Sequence, residues 1–289
     1  MNKFYIITNS EKDIEYLVSD DIKKFLEDHQ KTCFISKQPV KKAGMTYRYT
    51  NPSDVPLDTE CILVLGGDGT LIQAARDLFG RNIPFIGVNF GTLGYLAEVE
   101  KQNLIPALEK LMADEFQIEK RMMLDGTVFR EKEKVEKDIA LNDIVISRSG
   151  SLRVIDFKVY VNGEFLNLYS ADGIIISTPT GSTAYNLSAG GPIVSPVASL
   201  IVVTPICPHT LNTRSMILSA DDIITIEMCP DRNGKEEVRL VSFDGDNSMK
   251  VFVKDKIEIK KSEQYTEIIQ LNKISFLEVL RRKMTTTKA

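Results

Sequence analysis

Asp68 stands among three glycines in the run LVLGGDGTLIQAA, Leu63 to Ala75. The apolar run Cys61 to Leu65 reads as a short buried strand, and Leu71, Ile72, Ala74 and Ala75 open a helical pattern. Gly66, Gly67 and Gly69 therefore fall in the turn between them. Glycines after a strand let backbone amides approach a phosphate closely, and a following helix start adds the positive end of its dipole. GGDGT has the form of a polyphosphate cradle, with Gly67, Gly69 and Thr70 as its binding residues. It is not a Walker A loop, because no Gly-Lys is followed by Ser or Thr. The dinucleotide fingerprint also fails, since counting from Gly67 puts Ile72 where a glycine is required. An aspartate among those amides repels a phosphate, which points to a chemical use: a general base that accepts a hydroxyl proton while that oxygen attacks a phosphoryl group. The competing use is a turn residue capping the helix near Leu71.

A second glycine-rich strand exit, VNFGTLGYL from Val88 to Leu96, offers a facing wall at the same sheet edge and favours the base over the cap. A third stretch, SADGIIISTPTGSTAYNLSAGGPIVSP from Ser170 to Pro196, concentrates the hydroxyls of Thr178, Thr180, Ser182, Thr183 and Ser188 beside Gly181, Gly190 and Gly191, with Tyr185 as its aromatic ring. Loops of this kind are often only solvated turns. Here Pro179, Gly181 and Pro192 shape the chain and leave polar atoms to grip a nucleoside through its ribose and base edge.

These residues need a scaffold. Phe4 to Thr8 reads as a strand. Ser10 is placed to cap a helix carrying Ile14, Leu17, Val18, Ile22, Phe25 and Leu26, and Cys33 to Ser36 begins another strand. After a polar segment, Gln38 to Thr59, come the GGDGT strand, turn and helix, a strand at Ile83 to Asn89 and a helix at Leu104 to Leu111. The alternation predicts an α/β domain with a Rossmann-like parallel sheet and ligands outside the carboxyl ends of its strands. Beyond Phe116 the texture changes to short β runs: Gly126 to Arg130, Ile144 to Ser147, Phe157 to Val161, Gly173 to Ser177, Ile223 to Met228, Val238 to Phe243, Lys250 to Lys254 and Lys256 to Lys260. A mostly β second domain follows, and a helix at Ser275 to Met284 is expected to pack back on the first. The domain limits are placed at residues 1–118, 119–272 and 273–289.

Composition narrows the class. The 289 residues are 43% hydrophobic and 26% charged, enough for a sizeable core and roughly two domains. A net charge of −4 gives no basic field for nucleic acid. Cys33, Cys61, Cys207 and Cys229 are too widely spaced for zinc or a redox pair and read as reduced core thiols, and His29 and His209 cannot build a HExxH site. No signal-like stretch opens the chain and no apolar run approaches the roughly 18 residues of a membrane span, so the expected setting is cytoplasmic. No internal repeat is visible.

With the pieces side by side, the sequence resembles the NAD kinases from its first strand to near Leu280. The resemblance is carried by GGDGT at Gly66 to Thr70, NFGTLGYL at Asn89 to Leu96, ALND at Ala140 to Asp143 and ADGIIISTPTGSTAYNLSAGGP at Ala171 to Pro192. PHTLNTRS at Pro208 to Ser215 and FDGD at Phe243 to Asp246 follow in order. GGDGT alone is shared with lipid kinases of the diacylglycerol and sphingosine type; the ordered set is specific. The resemblance implies ATP-dependent phosphorylation of the 2′-hydroxyl on the adenosine ribose of NAD, giving NADP, with Asp68 as the base. A divalent metal, usually Mg²⁺, is implied on the donor phosphates rather than on a protein metal site. Gly69, Asn142, Asp143, Asp172, Thr183, Ala184, Tyr185 and Ser188 would contact the dinucleotide, and Tyr95 would flank the adenine. Arg153 and Asp246 fall at positions that resemble further binding contacts in a homodimer or homotetramer. Three positions depart from the family pattern: Asp143 replaces a glutamate, Ser170 an arginine and Asp246 a glutamine. Two rivals remain: a lipid kinase, which lacks here the basic or apolar membrane-facing patch it needs, and a nucleotide sensor without turnover.

Overall fold

Cys61–Gly66 and Phe85–Asn89 are buried at every position, as expected of strands covered on both faces of a parallel sheet. The computed structural model describes residues 1–36, 50–91, 94–150, 153–210, 213–230, 238–245, 247–271 and 275–285. In chain order the elements are β1 (Lys3–Thr8), α1 (Leu17–Asp28), β2 (Thr32–Ile35), β3 (Cys61–Gly66), α2 (Asp68–Asp77), β4 (Phe85–Asn89), β5 (Val99–Glu100) and α3 (Leu104–Met112). There follow β6 (Gln117–Arg130), β7 (Glu133–Ala140), β8 (Asp143–Arg148), β9 (Ile155–Val161), β10 (Glu164–Ala171), β11 (Gly173–Ser177) and α4 (Tyr185–Ser188). The chain closes with β12 (Leu200–Ile206), β13 (Met216–Ser219), β14 (Ile224–Met228), β15 (Arg239–Phe243), β16 (Asn247–Val251), β17 (Lys256–Gln270) and α5 (Phe276–Thr285). Two compact units divide it: Met1–Arg121 with Thr266–Ala289, and Met122–Tyr265.

The first unit is the expected α/β domain. Strands β2, β1, β3 and β4 lie side by side in that order, all parallel. Phe4, Ile6, Leu63, Leu65, Ile86 and Val88 of the sheet pack with Ile22 and Leu26 of α1 and Leu104, Leu108 and Leu111 of α3. The C-terminal helix α5 belongs to this unit, as expected.

Two helix starts differ from the sequence reading. Ser10 does not cap α1, which begins at Leu17 after two residues of positive φ, Glu15 and Tyr16. The capping role falls to buried Asp13, whose carboxylate accepts the amides of Val18 and Ser19 at 2.9 and 3.3 Å. Ile14 and Leu17, placed on the helix face by their spacing, are 68% and 62% exposed as a result. Helix α2 begins at Asp68 rather than near Leu71, with Gly67 as its cap.

The second unit is built from antiparallel sheets. One runs β10, β9, β14 and the first part of β17. The other runs β13, β12, β11, β8, β15 and β16. Their inner faces share one core that includes Phe157, Val159, Ile174, Ile176, Ile224, Ile226, Val241 and Phe243. Strands β7, β10, β12 and β13 were not read from the sequence. β7 is mostly exposed and charged, β12 carries Pro205, and β10 alternates poorly because Phe165, Leu166 and Leu168 are all exposed. Cys33 and Cys61 are buried and free as expected, whereas Cys207 is exposed and so is not a core thiol.

Candidate active site

In a parallel sheet the turns that leave adjacent strands gather at one edge. In the first unit these turns follow β1, β3 and β4 and are tied to one another. The Asn9 amide donates to the Leu65 carbonyl at 2.9 Å, and the Phe90 amide donates to the Gly66 carbonyl at 3.2 Å. Asp68 enters this edge as the first residue of α2, so its side chain is free of the capping duty and turns to the Gly94–Ala97 loop. Its Oδ2 accepts the Tyr95 amide at 2.6 Å, and its Oδ1 accepts the amides of Leu96 and Ala97, each at 3.1 Å. A carboxylate offers about four lone-pair positions, so these bonds leave one acceptor position, on Oδ2. The oxygen is held in place with one acceptor position open.

The glycines divide by what demands them. A Cβ on Gly66 would overlap the Thr70 side chain, which lies buried over it. Gly67 is extended, with φ −131°, and Gly69 has nothing within 4 Å of a Cβ, so neither backbone strain nor packing requires a glycine at those two positions. Bare backbone beside open space is what a closely approaching polyanion needs. Lys12, on the turn after β1, brings its ammonium 3.5 Å from where a Gly67 Cβ would stand, and among the described residues no ion pair or hydrogen bond occupies that ammonium. Sequence reading missed Lys12 because nothing local relates it to a glycine 55 positions away in the chain. Tyr95 is half-buried; burial first, and then the charge of Asp68, push its phenol above its ordinary value.

In the second unit Asp244 does for one loop what Asp68 does for another. Its carboxylate accepts the amides of Leu141, Asn142 and Asp143 at 2.8, 2.7 and 3.1 Å, and its own amide returns a bond to the Asp143 carbonyl at 3.0 Å. Asp244 adopts φ +51°, a left-handed turn conformation that aspartate tolerates better than most residues. Asp143 is 5% exposed, and burial, reinforced by the nearby Asp244 carboxylate, pushes its carboxyl up to about 7. Thr178 joins this loop to the hydroxyl-rich turn: its Oγ1 donates to the Leu141 carbonyl at 2.6 Å and accepts the Gly181 amide at 3.0 Å. Gly181 packs on the Asn142 carbonyl so closely that a Cβ would overlap it.

Asn142, Asp143 and the Thr178–Ser188 turn are therefore brought together. Thr178 and Ser182, counted from the sequence among hydroxyls open to a ligand, are instead fully buried and bonded within the protein. Thr183 and Ala184 stay partly open, and Tyr185 and Ser188 are exposed. Buried Asn186 fixes the turn. It donates to the Ser182 and Pro192 carbonyls, each at 3.1 Å, and accepts the Thr204 hydroxyl at 2.7 Å. Asp172 is paired with Arg148, whose Nε lies 2.7 Å from Oδ1. Ser170 donates to Asp156. Arg153 is exposed just before β9, and Asp246 lies outside the described residues. Among the described residues no group of three or more His, Cys, Asp or Glu side chains could hold a metal ion.

Two family models match the chain. The ATP-NAD kinase N-terminal domain matches residues 5–116 and the ATP-NAD kinase C-terminal domain residues 141–271. Among similar proteins, the NAD kinase of Lachnospira eligens is 48% identical over 98% of this chain and 100% of its own length. That of Lachnoclostridium phytofermentans is 45% identical over 98% and 99%. A solved yeast NADH kinase complexed with NADH superposes with a TM-score of 0.81 at 23% identity, covering 100% of this chain and 89% of that one. An NAD kinase from Archaeoglobus fulgidus in complex with ATP gives 0.78 at 22% identity over 99% and 100%. These two structures speak for the fold, and the matched domains and close relatives speak for the family: this chain belongs to the ATP-NAD kinases.

Proposed function

We propose that this enzyme transfers the terminal phosphoryl group of ATP to the 2′-hydroxyl of the adenosine ribose of NAD, giving NADP and ADP, with Asp68 as the general base. The observation that carries the reading is the Asp68 carboxylate, clasped by the amides of Tyr95, Leu96 and Ala97 beside the bare backbone of Gly67 and Gly69. Asp68 Oδ2 accepts the hydroxyl proton as the ribose oxygen attacks the phosphorus in line; the new O–P bond forms while the bond to the bridging oxygen of ADP breaks. A ribose hydroxyl ionises far above neutral pH, so a positioned acceptor contributes about 10² to 10⁴ in rate.

The donor phosphates meet Gly67, Gly69, Thr70 and Lys12. A divalent ion, Mg²⁺ in this reading, would arrive with ATP and would neutralise phosphate charge. Recognition of NAD falls to Tyr95 beside the adenine and to Asn142, Asp143, Asp172, Thr183, Ala184, Tyr185 and Ser188, with Arg153 and Asp246 as outer contacts. Support comes from the way Asp244, Thr178 and Asn186 hold the loops that carry these residues. A homodimer or homotetramer in the cytoplasm completes the reading by resemblance; no described helix is long and apolar enough to cross a membrane.

Incubating the protein with NAD, ATP and Mg²⁺, with a diacylglycerol control in place of NAD, tests the reaction. NADP as the product supports it. A phosphorylated lipid, or NAD binding without product, replaces it with one of the rivals.

A further inference from the structure

Leu96 and Ala97 are anchored by their own side chains, 4% and 1% exposed in the core, whereas Tyr95 keeps a half-buried ring. Yet the Tyr95 amide holds Oδ2, the Asp68 oxygen with an acceptor position left, and at 2.6 Å it makes the shortest of the clasping bonds. What holds the Tyr95 ring therefore matters to that oxygen. Phe276 and Lys283 stand seven residues apart on α5, two turns along one helix face. The Tyr95 ring meets both. Its centroid is 6.4 Å from that of Phe276, with the planes at 41°, and the Lys283 ammonium lies 4.3 Å from the Tyr95 ring centroid.

We propose that α5 is a brace for the reactive carboxylate: Phe276 and Lys283 hold the Tyr95 ring, and the Tyr95 backbone in turn holds Oδ2 of Asp68. Phe276 and Lys283 are positioning residues that act through Tyr95, and the proposal rests on the reading of Asp68 as the base. Helix α5 has no fully buried residue, so the brace is held by a few contacts and each contact counts. Misplacing a reacting group by a fraction of an ångström lowers the rate of the chemical step and leaves substrate binding nearly untouched.

The test uses the full chain with Lys283→Ala, Phe276→Ala and Lys283→Arg. Amide exchange is read on a peptide covering residues 95–97, and kcat and KM are measured for NAD and ATP. The brace predicts faster exchange there in both alanine variants, and kcat lower by about three- to tenfold with KM for ATP within about twofold. Lys283→Arg, which keeps a cation over the ring, should behave as the unaltered protein does. Unchanged exchange, or a loss confined to KM for either substrate, overturns the brace. Faster exchange with full turnover overturns the brace, while loss of turnover in Asp68→Asn, run beside these variants, tests the base by itself, which separates the two claims.

Discussion

Gly94 lies so close beneath Asp68 that a Cβ placed on it would overlap Oδ1. The glycine makes room for the carboxylate among the amides that clasp it, and no larger residue fits unless the loop or Asp68 moves. Gly94→Ala should lower kcat by about 100-fold, the order expected when a reacting group shifts by about 1 Å. Kinetics at saturating NAD and ATP, with a melting curve to confirm folding, check this.

Lys12 predicts a different kinetic signature. Removing an ammonium that meets the donor phosphates weakens binding of ATP, so Lys12→Ala should raise KM for ATP by about tenfold at low salt and leave KM for NAD nearly unchanged. The difference should shrink as ionic strength rises. Steady-state kinetics at two salt concentrations measure both.

The β1 and β3 strands were legible because buried strands of a parallel sheet read as unbroken apolar runs, and the glycine turn was legible because its composition is local. What the sequence hid was long-range. Asp13 displaced Ser10 as the α1 cap because the chain turns through positive φ at Glu15 and Tyr16, which side-chain spacing does not encode. From its own stretch Asp68 reads equally well as a cap or a base, and the facing Val88 to Leu96 exit favours the base; the amides of Tyr95 to Ala97 on its carboxylate, 27 to 29 positions along the chain, left no local trace. The hold of Asp244 on Leu141, 103 positions away, left no local trace.

Asp244→Asn should loosen that hold. An amide offers one accepting oxygen, so at least one of the three backbone donors loses its partner, at a cost of about 1 to 3 kcal/mol in stability. KM for NAD should rise with it, because Asn142 and Asp143 lose their fixed backbone. Chemical denaturation and NAD titration read the two effects.

Asp143 makes stability depend on pH. Its carboxyl is raised from 3.8 to about 7 by burial and by the facing Asp244 carboxylate. The folded state therefore holds this proton where the unfolded chain has released it, and its contribution is full below about pH 4 and lost as pH rises through about 7. The ceiling is roughly 4 kcal/mol. Asp143→Asn, which cannot ionise, should gain on the unaltered protein as pH rises, melting further above it at pH 8 than at pH 5, as differential scanning at the two pH values will show.

The central claim is that Asp68 takes the proton from the ribose hydroxyl. The most direct test is turnover of Asp68→Asn beside the unaltered protein, with saturating NAD, ATP and Mg²⁺, and with NAD affinity measured separately. The account predicts NADP from the unaltered protein, and from the variant a kcat lower by about 10² to 10⁴ with NAD still bound. A variant that turns over at near-normal rate would contradict it.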